Sequence, residues 1–205
     1  MDRGKFFASL RSGLLGPTLS ADEVTGCERI LDAMSGSPLS YTAYALATAY
    51  HETAGTLMPI KEYGNSAYFF KMYDPNSPLP NRAKMAKAYG NLPGDGVRYI
   101  GRGYVQLTWR SNYAKAGSKL GLGSELVQNP DLAMRPDIAA RVLREGMEEG
   151  WFTGKSFSSY LPASGTATRE QYMNARRIIN GTDKADEIED YAQAFEKALR
   201  LGGWA

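Results

Sequence analysis

The sequence predicts a mainly α-helical fold, and three observations predict it. Five segments carry apolar residues at helical spacing. The one extended-looking stretch is short, the run after the glycines at 101 and 103. Between the helical segments, residues 56–100 are punctuated by Pro75, Pro78, Pro80, Pro93, Gly94 and Gly96. Long irregular stretches in a domain are often functional, so this one reads as a small lobe or a cleft wall. The chain has 205 residues, enough for one domain, 1–205, or one domain split into two lobes around a cleft. No separate binding module or linker is visible.

The elements follow in order. Ser20-Ala-Asp-Glu23 has the form of a capping box, and Val24, Cys27, Ile30, Leu31 and Met34 continue it at helical spacing. Gly36 and Pro38 end that helix. A second helix is expected from near Ser40 to about Gly55. Its alanines and aromatics make it buried nearly all round, so His51 and Glu52 near its C-terminal end are unusual there. One short helix is expected around 81–89. GRGYVQLTW, residues 101–109, reads as a glycine-governed turn and a short extended segment. RPDIAARVLREGMEEGWF is a helix with Pro136 in its first turn and a stripe of Ile138, Val142, Leu143, Met147 and Trp151. GTATREQYMNARRIIN follows, with Thr168 as its expected cap. A last helix, from about Lys184 to Leu201, presents Ile188, Tyr191, Ala192, Phe195 and Leu199, and Gly202 and Gly203 stop it. Residues 183–200 carry a net charge of −3, which argues for packing rather than for disturbing an anionic membrane.

Composition narrows the chemistry. A formal net charge of +2 is too small to imply nucleic acid. The charge is unevenly placed: residues 65–128 hold 9 Lys and Arg against 3 Asp and Glu, and the flanking segments are each at −2. The plain reading is a solvated face; the functional one is a wall facing an anionic polymer. The single cysteine, Cys27, excludes an internal disulfide and fits a reducing compartment. Arg11 and Ser12 break the apolar run that a signal peptide needs, and nothing approaches the roughly 20 apolar residues of a membrane span. One His and one Cys cannot build the usual zinc sites, which leaves only carboxylate-rich metal sites open, and no metal or other cofactor is expected. Phosphate-binding glycine loops and a nucleophile elbow are missing, which sets nucleotide and serine-nucleophile chemistry aside.

Paired carboxylates remain. Hydrolysis of a glycosidic bond needs one carboxylic acid to protonate the leaving oxygen and a second carboxylate to activate water or attack. Glu52, among Tyr50, Ala49 and Leu57, stands in an apolar setting of the kind that keeps an acid protonated. A capping or salt-bridging glutamate is the competing reading. Glu62 follows ten residues later, after Pro59 has ended the helix; alone it would read as an exposed loop acid.

His51-Glu52-Thr53 with Glu62, then Tyr99-Ile-Gly-Arg-Gly-Tyr-Val-Gln-Leu-Thr108 with Asn112-Tyr113, then Asn129-Pro-Asp-Leu132 and Ile179-Asn180-Gly181 occur in this order. The set resembles glycoside hydrolase family 19, which holds chitinases and many phage endolysins, over about residues 45–182. The resemblance implies a lysozyme-like, mainly helical fold with two lobes around a catalytic cleft, and single-step inversion. It implies Glu52 as general acid, Glu62 as general base in the short spacing of phage-type members, and Thr108 as the hydroxyl that helps hold the attacking water. Gln106, Asn112 and Asn180 match residues lining the sugar-binding cleft. Tyr99 and Arg102 of the same segment join them as candidate substrate-binding residues, with a structural salt bridge as the alternative for Arg102. His51 is expected to be a hydrogen-bonded structural histidine, and Trp109 and Trp151 core residues. Two departures stand out. Thr182 occupies a place where the family often has glycine. Members also often carry an arginine near the acid in the C-terminal region, and after Asn180 the basic residues are Lys184, Lys197 and Arg200, a single arginine.

The functional expectation is a monomeric endolysin that hydrolyses the β-1,4 glycan strands of peptidoglycan. It would be made in the host cytoplasm and released to the wall with a holin-type partner that only the resemblance implies. The alternatives are a chitinase on N-acetylglucosamine polymers and a non-catalytic glycan-binding protein.

Overall fold

A computed structural model describes residues 1–204. In chain order its elements are α1 (Arg3–Arg11), α2 (Ala21–Ala33), α3 (Leu39–Glu52), β1 (Ile60–Lys61), α4 (Ser66–Tyr73), α5 (Pro80–Ala88), β2 (Arg102–Gly103), α6 (Arg110–Lys119), α7 (Glu125–Gln128), α8 (Pro136–Glu148), α9 (Arg169–Ala175) and α10 (Ala185–Leu201), with short 3-10 turns between some of them. The fold is mainly α-helical, as expected. The chain divides into two compact units: Met1–Met58 with the described residues from Leu143 onward, and Pro59–Val142. The second is longer than the 56–100 stretch singled out in the sequence.

The first unit is built on α3. Every residue from Ser40 to Ala49 is buried, because α3 runs along α10 and is also met by α2, while α10 meets α1 and α9. The stripe on α10 buries as its spacing requires: Ile188, Ala192, Phe195 and Leu199 are fully inside and Tyr191 is half-exposed. The box at α2 forms, with the Glu23 carboxylate accepting from the Ser20 N–H at 2.7 Å and the Ser20 hydroxyl accepting from the Glu23 N–H at 3.1 Å. Thr168 caps α9 in the same reciprocal way with Gln171. Helix α1 lay in a stretch assigned no element; Asp2 caps it and it buries Phe6, Phe7 and Leu10.

The exit from α3 is tightly fixed. Thr53 donates its hydroxyl to Ala49 O at 2.7 Å and accepts from the Leu57 N–H at 2.9 Å. Ala54 (φ 50°) and Leu57 (φ 54°) are held in the left-handed region, which side chains other than glycine rarely adopt. Gly26 on α2 explains how Leu57 is held: a Cβ there would lie 1.9 Å from Leu57 O. Gly26→Ala is therefore expected to destabilise the fold by roughly 3 kcal/mol, the upper end for overpacking, because the clash is with backbone. A thermal melt measures it.

The second unit differs more from expectation. The segment read as irregular contains helix α4 as well as α5. Asn65 starts α4 by accepting from the Tyr68 N–H at 2.9 Å. The run Ala-Tyr-Phe-Phe-Lys-Met-Tyr hides that helix, since aromatics are weak helix formers and the flanks are rich in Gly and Pro. Helices α6 and α7 also lie where no element was assigned. β1 and β2 pair antiparallel, with Ile60 opposite Gly103 and Lys61 opposite Arg102. The 101–109 segment folds back on itself: the Leu107 N–H donates to Arg102 O at 2.8 Å.

Candidate active site

Glu52 is the last residue of α3, so its carboxylate leaves the buried helix where the helix stops. The apolar setting anticipated for it is not what the structure gives. Its Oε1 accepts from Arg176 Nη1 at 2.8 Å. Arg176 opens the 3-10 turn after α9, is only 4% exposed, and donates through Nε to Asp183 O at 3.1 Å. The guanidinium thus has one bond to the backbone and one to the carboxylate, and orients the acid. Among the described residues no hydrogen bond is made by Glu52 Oε2. Arg176 lies just before Ile179-Asn180-Gly181, whereas the arginine implied by the resemblance was looked for only after Asn180 because sequence does not show which residue reaches Glu52. The adjacent Arg177 is exposed, and an Arg–Arg pair at a helix end with only one member able to reach solvent was the available signal.

His51 points elsewhere. Its Nδ1 lies 3.8 Å from Glu187 Oε1 on α10. The Glu187 carboxyl is held below the usual range, first by the hydrogen bond from the Tyr191 hydroxyl and then by Lys184 and the neighbouring His51. At 3.8 Å the separation is longer than the hydrogen bond expected of His51. Asn180 is exposed in the same unit, and its Oδ1 accepts from the Gly181 N–H.

Glu62, in the second unit, follows β1 directly. Its N–H donates to Gly101 O at 2.9 Å. Its Oε2 accepts from the Gly101 N–H at 3.1 Å, and its Oε1 from the Tyr73 hydroxyl at 2.8 Å. Tyr68 OH lies 3.5 Å from the same Oε1. This is a held carboxylate, not a loose loop acid. Burial, and then the hydrogen bond to Glu62, push the Tyr73 hydroxyl well above the ordinary phenol range, so it remains a donor. Its ring is set edge-on against Trp109, 5.1 Å between centroids, and Trp109 stacks on Tyr89. Tyr73 was not anticipated; its spacing from Glu62 becomes meaningful only once α4 exists.

The glycine at 101 has a definite reason. A Cβ there would meet Gln106 Oε1 at 2.7 Å and Glu62 Oε2 at 3.3 Å. Gln106, itself left-handed at φ 51°, donates through Nε2 to Ile60 O and Gly103 O, both at 3.2 Å. Thr108 donates its hydroxyl to Gln106 O at 2.7 Å, and Asn112 donates to Thr108 O at 2.9 Å. The structure therefore brings Glu62, Gly101, Gln106, Thr108 and Asn112 into one hydrogen-bonded segment, with the last three side chains partly exposed.

Tyr99 and Arg102 require a correction, because both are buried where a glycan cannot touch them. Tyr99 is 1% exposed and donates its hydroxyl to Val127 O. Arg102 is 4% exposed; its Nε donates to Asp131 Oδ1 at 2.7 Å and its Nη1 to Arg98 O, Ile100 O and Tyr113 OH. Arg102 thus ties the Gly-Arg-Gly turn to Asn129-Pro-Asp-Leu, two motifs that the sequence keeps 26 residues apart. The Arg102 hydrogen bond is the main reason the Asp131 carboxyl sits below its ordinary range. A depressed carboxylate contributes stability above its unfolded-state value, and that contribution is lost as pH falls through the lowered folded-state value. Asp131→Asn is expected to cost about 1 kcal/mol at neutral pH, kept small because the carboxylate is largely in water. It should also flatten the acid limb of Tm against pH, measured by melts from neutral pH down to about pH 3.

Comparison with known proteins supplies the lineage. The family model for class I chitinases, glycoside hydrolase family 19, matches residues 39–143. A 34-residue segment is 63% identical to the acidic 26 kDa endochitinase of Solanum lycopersicum, and an equal length is 59% identical to acidic endochitinase pcht28 of Solanum chilense. In each case the match spans 17% of this chain and 13% of the relative, so it is confined to a short segment. The structure of chitinase C from Streptomyces griseus HUT6037 superposes with a TM-score of 0.59 at 21% identity, over 96% of this chain and 75% of that one. A bacterial family 19 chitinase gives 0.53 at 23% identity, over 98% and 93%. These likenesses establish the fold as the mainly helical, lysozyme-like one. With more than half of its length matched, across Glu52, Glu62 and the 101–108 segment, the chain belongs to glycoside hydrolase family 19, the class I chitinase family.

Proposed function

We propose that this chain is an inverting glycoside hydrolase that cuts the β-1,4 glycan strands of bacterial peptidoglycan as an endolysin. The observation that carries the catalytic part is the held state of Glu62. Three donors converge on its carboxylate, from Tyr73, Gly101 and, more distantly, Tyr68. A carboxylate fixed in this way suits a general base. Glu62 takes a proton from water as the water oxygen bonds to the anomeric carbon. The bond to the leaving oxygen breaks, and Glu52, oriented by Arg176, delivers a proton to that oxygen. Thr108 spends its own proton on Gln106 O, which leaves its lone pairs to accept from the attacking water. No covalent intermediate forms.

Charge supports peptidoglycan as the substrate. The Pro59–Val142 unit, which carries Glu62, holds 12 Lys and Arg against 6 Asp and Glu, a net of +6. Peptide stems of the wall are acidic, whereas chitin is neutral, and a positive surface raises the local concentration of an acidic polymer. On the same reading the protein accumulates in the host cytoplasm and reaches the wall when a holin-type partner opens the membrane. Chitin is the second reading, favoured by the relatives, whose names describe endochitinases.

Two assays run side by side separate these: lysis of outer-membrane-permeabilised bacteria, and sugar release from chitin. Lysis without chitin cleavage is expected. Chitin cleavage without lysis would replace the first reading with the second, and binding without turnover would leave a glycan-binding protein. Mass spectrometry of the wall products should show reducing glycan ends. Anhydro sugars would mean lytic transglycosylation instead.

A further inference from the structure

Among the large apolar side chains of the described residues, Tyr63 is the most exposed, at 83%, and it directly follows Glu62. An exposed tyrosine on a loose loop would need no explanation. This one stands on fixed backbone. Before it, the Glu62 N–H donates to Gly101 O and the Glu62 carboxylate is held by Tyr73 and Gly101. After it, Gly64 packs so closely on α4 that a Cβ would come within 2.6 Å of Tyr68 and 2.8 Å of Phe69. Asn65 then caps α4 through its Oδ1, which leaves its amide nitrogen as a donor. Tyr63 borders an open pocket of about 600 Å³, whose other walls include Lys61, Glu62, Asn65, Phe69 and Val97. A volume of this order holds a small ligand such as a sugar ring.

We propose that Tyr63 is a stacking platform for one pyranose ring of the glycan, at a subsite next to Glu62, with the Asn65 amide donating to a hydroxyl or N-acetyl oxygen of that sugar. The proposal rests on the reading of Glu62 as the base of a glycosidase. A phenol on fixed backbone offers the apolar face of a sugar a broad aromatic surface with only two side-chain torsions left to order, a low cost for the contact area gained. Turning an aromatic outward beside a reacting carboxylate has no packing advantage for the fold.

The test compares wild type, Tyr63→Ala and Tyr63→Trp on purified peptidoglycan and on the N-acetylglucosamine hexamer. On whichever glycan wild type hydrolyses, Tyr63→Ala should raise KM about tenfold with kcat held within about twofold, and Tyr63→Trp should restore KM. The introduced indole should also change its fluorescence when the glycan is added to a Glu62→Gln, Tyr63→Trp double variant. An Ala variant with wild-type KM, or a Trp variant as impaired as the Ala one, overturns the platform and leaves the glycosidase reading standing. If wild type hydrolyses neither glycan yet the indole still responds, the glycosidase reading falls and the platform stands. Neither turnover nor response overturns both.

Discussion

Glu52→Gln is expected to lower kcat by about 10³-fold while the chain stays folded. The amide oxygen of glutamine still accepts from Arg176 Nη1, so the contact that orients residue 52 survives. What is lost is the transferable proton, and general acid catalysis typically contributes 10²- to 10⁴-fold. Loss of one charge from the pair costs some stability, about 1 kcal/mol, which for a domain of this size moves Tm by about 2–4 °C. The assay is turnover well below the melting temperature, with a melt on the same preparation. Near-normal turnover would remove Glu52 from the chemistry and leave it as the partner of a buried arginine.

Arg176→Ala is the second large effect, and it falls on stability and turnover together. Removing the guanidinium strands a carboxylate that is only 18% exposed. Breaking a buried pair usually costs about 3–5 kcal/mol, and the lower end applies here because Glu52 keeps some contact with water. Tm should drop by roughly 6–12 °C. Turnover should fall about 10²-fold, since Oε1 of the acid is then free to rotate. Arg176→Lys separates the two roles. It retains a charge near Glu52 but cannot hold both Asp183 O and the carboxylate in a planar fork. Its Tm should recover more than its kcat. Equal recovery of both would show that the ion pair serves the fold alone.

The residues explain which features of this molecule can be read in its sequence. Helices α2, α8, α9 and α10 are legible because each buries one face, and α3 because it is apolar nearly all round; most carry a local start or stop signal, such as Ser20, Pro136, Thr168 or Gly202. Helix α4 is not legible: its buried members are few, its aromatics point several ways, and Phe69 alone is fully inside. At the site, Glu52 and Glu62 stand out as carboxylates, one in an apolar helix and the other just past its end. Their surroundings do not, because both are made by distant segments: Arg176 lies 124 residues from Glu52, and Gly101 lies 39 from Glu62. The reading of Glu52 as an acid in an apolar pocket went astray for that reason, since local sequence describes α3 but not what arrives beside it. Arg102 shows the opposite case. Its place in a specific motif suggested contact with substrate, whereas the motif is specific because a buried guanidinium must satisfy four acceptors at once.

Between Glu62 and Gly101 the hydrogen bonds run in both directions, backbone to backbone one way and backbone to carboxylate the other. The ladder they belong to is two residues long, too short to persist without its surroundings. Any fluctuation that lifts β1 from β2 therefore releases the Gly101 amide to solvent and unties the Glu62 carboxylate in the same motion. Deuterium uptake at this one glycine becomes a clock for the fraction of molecules whose Glu62 carboxylate is in place, readable without substrate. In variants that loosen the Arg102 anchor, faster uptake there should precede any loss of helical signal, so that activity fades on warming before the protein unfolds.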